Sequence, residues 1–385
     1  MVELRERPRT GWAAVAPVAA ASFTLVLSEF IAVAVLPSLA ADLHVSEGDA
    51  GLAVVLPGLV AAVAAPAAVL AANRTDRRLV LLALTGLLAV SNLLAGLAPS
   101  FTMLLVARAL LGVAVGAFWT IGVAVAPRLV PAGRGTAATA LVTAGISAAT
   151  VVSLPAGHLV AQTWGWRWAL LIVGALAVLI TIWQVLALPS MRPDRALGWS
   201  ALTSLFRSRR DRTGLLLGAL LFFAHFGAYT FITPFLTDRS AFSSGSVTLL
   251  LLGFGVAGLA GNFGAGAAVT RNLPLTLAAA AVLLGGSVAL LTAVTSLPAL
   301  TVVLVLVWGA SWGAVPLIVQ AYMMGGTAAE GGLALFVSTT QLFLAAGSAL
   351  GGQVVDRWGL SPDYLLFAIP AVAAAVVARL FLKTT

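Results

Sequence analysis

Residues 189–212 read PSMRPDRALGWSALTSLFRSRRDR, the longest polar interval in a chain of 385 residues, with six arginines, Asp194 and Asp211. On either side the sequence is apolar almost without relief. Of all residues 61% are hydrophobic and 9% charged, outside the mix of a soluble domain. No soluble core can hide that much apolar surface, so lipid has to solvate it. A helix crosses a bilayer with about 20 mostly apolar residues, and six such stretches precede the polar interval while six follow it. They cover 12–36, 49–72, 79–98, 101–126, 136–160 and 166–188, then 213–236, 245–268, 274–296, 299–323, 332–355 and 361–382. The expected fold is an all-α membrane protein of twelve transmembrane helices. Its parts are an N-terminal six-helix bundle over 1–188, a cytoplasmic basic linker over 189–212 and a C-terminal six-helix bundle over 213–385.

Charge placement tests the count, because alternate loops differ in Lys and Arg when spans are drawn correctly. The side that holds the N-terminus collects Arg5, Arg7, Arg9, Arg74, Arg77, Arg78, Arg128, Arg134, Arg192, Arg195, Arg207, Arg209, Arg210, Arg212, Arg271, Arg379 and Lys383. The opposite side receives Arg167, Arg239 and Arg357, and Arg108 falls inside a span. Both termini are therefore expected in the cytoplasm, with the chain multi-pass in the inner (plasma) membrane. The basic start resembles a signal peptide, but its apolar run passes 20 residues without an A-x-A cleavage pattern, so it reads as an uncleaved first helix.

The same inventory excludes several function classes. The chain has no cysteine, hence no disulfide, thiolate metal site or cysteine nucleophile. Its histidines at 44, 158 and 225 fall on separate elements without metal-ligand spacing. The net charge of +8 comes from arginines that punctuate apolar segments, a pattern that orients a membrane protein rather than binding nucleic acid. No enzymatic activity, cofactor or metal is expected, and the partners are the lipid bilayer and small solutes.

Glycines indicate how the helices pack. Gly255, Gly258, Gly261 and Gly264 recur every three residues, and Gly112/Gly116, Gly309/Gly313 and Gly347/Gly351 have small-xxx-small spacing, which lets membrane helices approach closely.

Local motifs then point to a family. After the second span, Asn73-Arg74-Thr75-Asp76-Arg77-Arg78 stands where the major facilitator superfamily has its basic loop, G-x-L-a-D-r-x-G-r-r; Val69, Asn73 and Asp76 replace the glycine, aspartate and glycine of that pattern. The fourth span carries Arg108-Ala109-Leu110-Leu111-Gly112, similar to R-x-x-x-G. The fifth has Gly145 and Leu154-Pro155-Ala156-Gly157, similar to part of the antiporter motif g-x-x-x-G-P-x-x-G-G. With Glu29-Phe30, Leu36-Pro37, Gly116-Ala117-Phe118-Trp119, Gly165-Trp166-Arg167 and Gly352-x-Val354-Val355-Asp356-Arg357-x-Gly359, the chain resembles the drug and sugar efflux branch of that superfamily. That branch contains sugar-efflux, arabinose-efflux-like and chloramphenicol-exporter proteins. The resemblance implies the major facilitator fold, with a binding site between halves near the midplane, and proton-driven export by a monomer. It also gives Arg74, Asp76, Arg77, Arg78, Gly112, Gly145, Pro155 and Gly157 conformational roles.

Glu29 reads as the only acidic residue well within a span. An ionised carboxylate there is costly unless paired or functional, so it is the leading proton-coupling candidate, with a structural ion pair as the alternative. At 1.5 Å per residue Glu29 lies about 12 Å and Arg108 about 10 Å inside the same face, assuming the first helix ends near Pro37. The two are expected to pair directly or through water. His225, near the middle of the seventh span, serves either proton transfer or a neutral hydrogen bond between helices. Phe118, Trp119, Tyr229, Trp308, Trp312 and Gln341 are cavity candidates, with packing as their alternative role; Asn92 and Asn262 are further polar contacts. Trp164, Trp166 and Trp168 read as interfacial anchors, and Pro155 as a kink. The expected function is export of a small amphiphilic molecule, drug- or antibiotic-like, by proton antiport with alternating access. Sugar or metabolite efflux and a transport-inactive receptor stand as alternatives.

Overall fold

The computed structural model describes residues 11–71, 75–131, 134–191, 208–240, 242–324 and 329–381; Asn73, Arg74, most of the 189–212 linker and both extreme ends lie outside them. Every regular element among the described residues is helical. The first half comprises α1 (Trp12–Leu43), α2 (Leu52–Ala71), α3 (Arg77–Gly96), α4 (Phe101–Val125), α5 (Gly135–Thr163) and α6 (Trp166–Ala187). In the second half, α7 (Arg209–Tyr229) is followed by a helical run Ser244–Leu291, then α10 (Pro298–Met324), α11 (Ala329–Trp358) and α12 (Leu360–Phe381). The run of 48 residues would measure about 72 Å as one helix, more than twice the hydrocarbon thickness. It breaks at Asn272 (φ −158, ψ 90) into α8 over 244–271 and α9 over 273–291. The Asn272 side chain accepts from Leu275 N at 2.9 Å and so caps α9, with Pro274 in its first turn, a combination that starts helices. Twelve spans result. One face of the molecule holds both ends and is termed the terminal face; the other is the distal face.

The pairing of helices repeats between the halves. In the first, α1 packs along α5, α2 along α4 and α3 along α6; in the second, α7 packs along α11, α8 along α10 and α9 along α12. Each contact recurs six helices later, as in a parallel internal repeat. Glycines permit the closest approaches. A Cβ on Gly112 would lie 2.5 Å from the Pro57 carbonyl oxygen, one on Gly309 would overlap the Phe254 backbone, and one on Gly347 would lie 2.5 Å from the Phe223 carbonyl oxygen. Gly264, by contrast, faces open space and takes no part in the expected glycine seam.

Two expectations about α1 and α6 need correction. Pro37 does not end α1, because a proline inside a helix removes one hydrogen bond without forbidding continuation when neighbours hold the chain. The helix runs on to Leu43 and stops at His44 in the left-handed region (φ 54). The added turns bring Asp42 to Arg167, with which it forms a salt bridge, and to Trp166 Nε1, which donates at 3.2 Å. Trp166 is consequently 3% exposed and is no interfacial anchor, whereas Trp164 and Trp168 remain exposed.

The halves meet along α2–α11 and α5–α8, again a symmetric pair. At the distal end Ser46 Oγ donates to Asp356 Oδ2 at 2.7 Å and Gly48 N to Asp356 Oδ1 at 2.9 Å, while Gln162 donates to Ser244 Oγ. Deeper in, the added Cβ of Gly255 would meet Val151 Cα at 2.5 Å and that of Gly58 would meet the Gln341 carbonyl oxygen at 2.9 Å. These contacts close the distal side between the halves.

On the terminal face Asp76 caps α3 by accepting from Arg78 N at 2.8 Å, and it fastens the end of α6 by accepting from Met191 N at 3.0 Å and from Ser190 Oγ. Arg77 N and the Arg78 guanidinium complete the junction through the Met191 and Val185 carbonyls.

Two measurements check this arrangement. With Ser46→Cys and Asp356→Cys introduced into the cysteine-free chain, a short bifunctional thiol reagent should join the two positions within one molecule; reaction at each without joining would show that the distal side is open. Asp76→Ala should cost about 0.5–2 kcal/mol of stability, the usual loss of an N-cap, seen as a lower melting temperature. Burial tends to raise the Asp76 carboxyl, but the hydrogen bonds from Ser190, Met191 and Arg78 outweigh it and hold the group below its ordinary range. Its stabilisation is accordingly complete above about pH 3.9, the unfolded value, and is lost as pH falls through the lower folded value.

Candidate functional site

An arginine inside a helical bundle must find every acceptor in the protein. Arg108 on α4 is 1% exposed. It donates through Nε to the Ala53 carbonyl of α2 (2.8 Å), through Nη1 to the Ser28 carbonyl (2.9 Å) and through Nη2 to the Glu29 carbonyl of α1 (3.3 Å). The acceptors are main-chain carbonyls, so Arg108 ties α4 to the backbones of α1 and α2 rather than closing a direct ion pair with the Glu29 carboxylate. Beside it, Ser28 Oγ donates to Asn92 Oδ1 at 2.9 Å, and Asn92 donates to the Leu88 carbonyl at 2.8 Å.

Released from a direct pair, the Glu29 carboxylate turns to the other half. Its Oε1 accepts from Gln341 Nε2 of α11 at 2.9 Å, and both residues are 5% exposed. An acid in one half is thus tied to an amide in the other. The next residue along α1, Phe30, lines a cavity of about 140 Å³ with Ile146 and Thr150 from the first half, and Tyr229, Phe254, Asn262 and Trp312 from the second. Gly255, Gly258, Gly309 and Gly313 also line it, so the helix crossing that shapes its wall depends on their missing side chains.

Aromatic packing makes the second-half wall rigid. His225 on α7 stacks on Trp312 (ring centroids 3.6 Å apart, 3° between planes) and on Tyr229 (4.5 Å, 27°). Trp308 Nε1 donates to His225 Nδ1 at 3.1 Å, which assigns the neutral ring proton to Nε2. His225 is 0% exposed, and among the described residues Nε2 finds no partner. Using this ring as a relay would require breaking the Trp308 bond first. The geometry favours a neutral stacking role under Trp312.

The sequence candidates therefore separate. Glu29, Arg108 and Gln341 come together, and Tyr229 and Trp312 reach the cavity with His225 and Trp308 behind them. Phe118, 1% exposed, packs within the first half, and Trp119 is half-buried beside it. Gly145 and Gly157 of the antiporter-like motif press against Ala19 and Ile31 of α1, with the buried Pro155 between them, so this motif shapes the α1–α5 contact that carries Glu29. Reading the sequence missed Phe30 and Phe254 as cavity residues, because an aromatic in an apolar span carries no sign of which way it faces. It also missed Asp363, close to the end of a span yet 0% exposed. A larger concavity, about 640 Å³, is an apolar groove between α9 and α12 with Arg379 as its sole charged lining residue; it is remote from this chemistry.

Comparison with known proteins agrees with the geometry. The family model of the Major Facilitator Superfamily matches residues 18–331. The chain is 34% identical to the transcription regulatory protein OpdE of Pseudomonas aeruginosa over 94% of this chain and 92% of that one. It is 32% identical to the purine ribonucleoside efflux pump NepI of Salmonella enteritidis over 96% and 94% respectively. The human organic anion transporter MFSD10 (TETRAN) superposes with a TM-score of 0.70 at 18% identity, over 97% of this chain and 100% of that one. Twelve helices in two repeated halves, a buried arginine on α4 and a cavity between the halves accord with these matches: the chain belongs to the Major Facilitator Superfamily and is a multi-pass membrane transporter of small molecules.

Proposed function

We propose that this transporter exports a small amphiphile bearing a flat ring in exchange for protons, with Glu29 as the coupling acid. The observation that carries the reading is the Glu29–Gln341 hydrogen bond across the two halves. An amide N–H bonds an ionised carboxylate about twice as strongly as a neutral acceptor. Proton uptake at Glu29 therefore weakens a tie between the halves, and proton release restores it. Arg108 holds the Glu29 backbone while this happens. Four aromatic residues with Asn262 and Thr150 around the cavity suit a planar heterocycle with a few hydrogen-bonding groups. Purine ribonucleosides, the substrates in the name of one relative, and ring-bearing antibiotics share that chemistry. The cavity is below the roughly 300–1,000 Å³ of sites that enclose drug-sized ligands, so it widens when the halves part.

In this reading both termini and the 189–212 linker face the cytoplasm, 1–188 and 213–385 are the moving bundles, and a monomer in the cytoplasmic membrane suffices. The arginine excess on the terminal face supports the orientation. A second reading, a ligand-sensing membrane protein without transport, is favoured by the relative named as a transcription regulatory protein.

Everted vesicles carrying the chain should accumulate a labelled nucleoside or ring-bearing drug when acidified inside. Glu29→Gln should abolish proton-driven accumulation while substrate counterflow persists. Arg108→Ala should fail in both assays and lose about 3–5 kcal/mol of stability, as when one member of a buried charged cluster is removed. Wild-type pH dependence and accumulation in Glu29→Gln would overturn the role of Glu29, and ligand binding without any flux would favour the sensing reading. Reporters fused at 200 and 385 should read as internal and those near 240 as external.

A further inference from the structure

The second half carries a buried acid of its own. Asp363 lies in the first turn of α12, about 5 Å from the distal start of that helix at 1.5 Å per residue, and is 0% exposed. Neither carboxyl oxygen has a hydrogen-bond partner among the described residues. Buried polar groups are nearly always paired, so each exception calls for an explanation. On the same helix and on the segment fastened to it, Tyr364 Oη, Thr233 Oγ1 and Ser240 Oγ also lack partners among the described residues. Thr233 and Ser240 flank a π-helical turn, Phe235–Arg239, a backbone feature frequent at functional sites. That segment is fastened to α12 by the Phe235 ring stacked on Tyr364 (4.1 Å) and by Arg239 donating to Ser361 Oγ at 3.1 Å.

The charged neighbours are engaged elsewhere or offer no titratable partner. From the π-turn, Arg239 serves Ser361 and Asp238 accepts from Thr237 at 2.7 Å. From α11, Asp356 is held by Ser46 and Gly48, and Arg357 is exposed. α10 presents Trp308, edge-on to Tyr364 at 5.9 Å, and α9 meets α12 through Gly285 and Ala368. Just past α7, Phe231 lies beside Gly351, and on α7 His225 is occupied by Trp308. What covers Asp363 is Gly351 of α11, where an added Cβ would lie 3.2 Å from Oδ1. The next residue, Gly352, packs against Gly48 of the other half. The helix that shields the acid is thus part of the contact that closes the distal side.

We propose that Asp363 is a second proton-binding site, loaded from the distal face when α11 parts from the first half and sealed when the halves close. The step is proton uptake alone: a proton from distal water adds to a carboxylate oxygen, and the same bond breaks when the proton leaves. The unpartnered hydroxyls of Thr233, Ser240 and Tyr364 supply donors and acceptors for the water that delivers it. This site goes beyond the Glu29 cycle, since it lies in the other half.

Infrared difference spectroscopy of the full chain in lipid nanodiscs tests the proposal without requiring transport. In a Glu29→Gln background, which removes the buried acid of the first half, an unbonded carboxylic C=O band should appear and vanish reversibly between about pH 4 and pH 9, the reach of buried carboxyls. It should be absent when Asp363→Asn is added. Tyr364→Phe, which keeps the acid, should shift the band if Asp363→Asn fails to fold. Joining Ser46→Cys to Asp356→Cys should slow the exchange at least tenfold. A band present at every pH would show a permanently protonated structural acid. A carboxylate ionised throughout, with or without bound sodium, would equally overturn the proposal, as would exchange unaffected by the cross-link.

Discussion

The guanidinium of Arg108 sets the terms for the rest of the site. Buried in the bundle at 1% exposure, it has its charge satisfied by carbonyls from α1 and α2, which a helix can offer sideways only where the backbones are very close. Gly112, one turn further along α4, provides that closeness by leaving room for Pro57 of α2. The charge of the arginine and the small size of the glycine are therefore one device: without the glycine the arginine loses its acceptors, and without the arginine the Glu29 backbone loses its anchor. With main-chain oxygens as acceptors, the acid is left free to bond across to Gln341.

Much of this was legible in the sequence because lipid simplifies the code. Twelve spans follow from the cost of placing arginine in hydrocarbon, and the described residues hold twelve spanning helices in two six-helix halves. Glu29 and Arg108 stood out for the same reason. What stayed hidden depends on the facing of a side chain around its helix. Phe30 and Phe254 line the cavity while Phe118 does not, yet all three are phenylalanines in apolar runs. Asp363 was hidden by position: three residues inside a span, an acid ordinarily reaches interfacial water, and only the packing of α7 and α11 over it removes that route. Pro37 misled in the opposite sense, since a helix anchored by Asp42 and Arg167 runs through it.

Energetics explain why so few polar contacts cross between the halves. Apolar surface gives little net drive for helix association in lipid, so the closed distal side is held by close packing and hydrogen bonds. The bonds that cross between halves include Ser46–Asp356, Gly48–Asp356, Gln162–Ser244, Ser338–Ala62 and Gln341–Glu29. At about 0.5–1.5 kcal/mol each they contribute on the order of 5 kcal/mol together. Shifting a two-state equilibrium from 1:99 to 99:1 takes about 5.5 kcal/mol of differential binding. A fastening of that size suits the proposed exchange: it favours one arrangement, and one proton with one bound solute would be enough to favour the other. A tighter set of bonds would lock the chain, whereas a looser one would uncouple solute movement from the proton. In the proposed cycle, placing one of these bonds on the buried Glu29 carboxylate makes the proton part of the fastening itself.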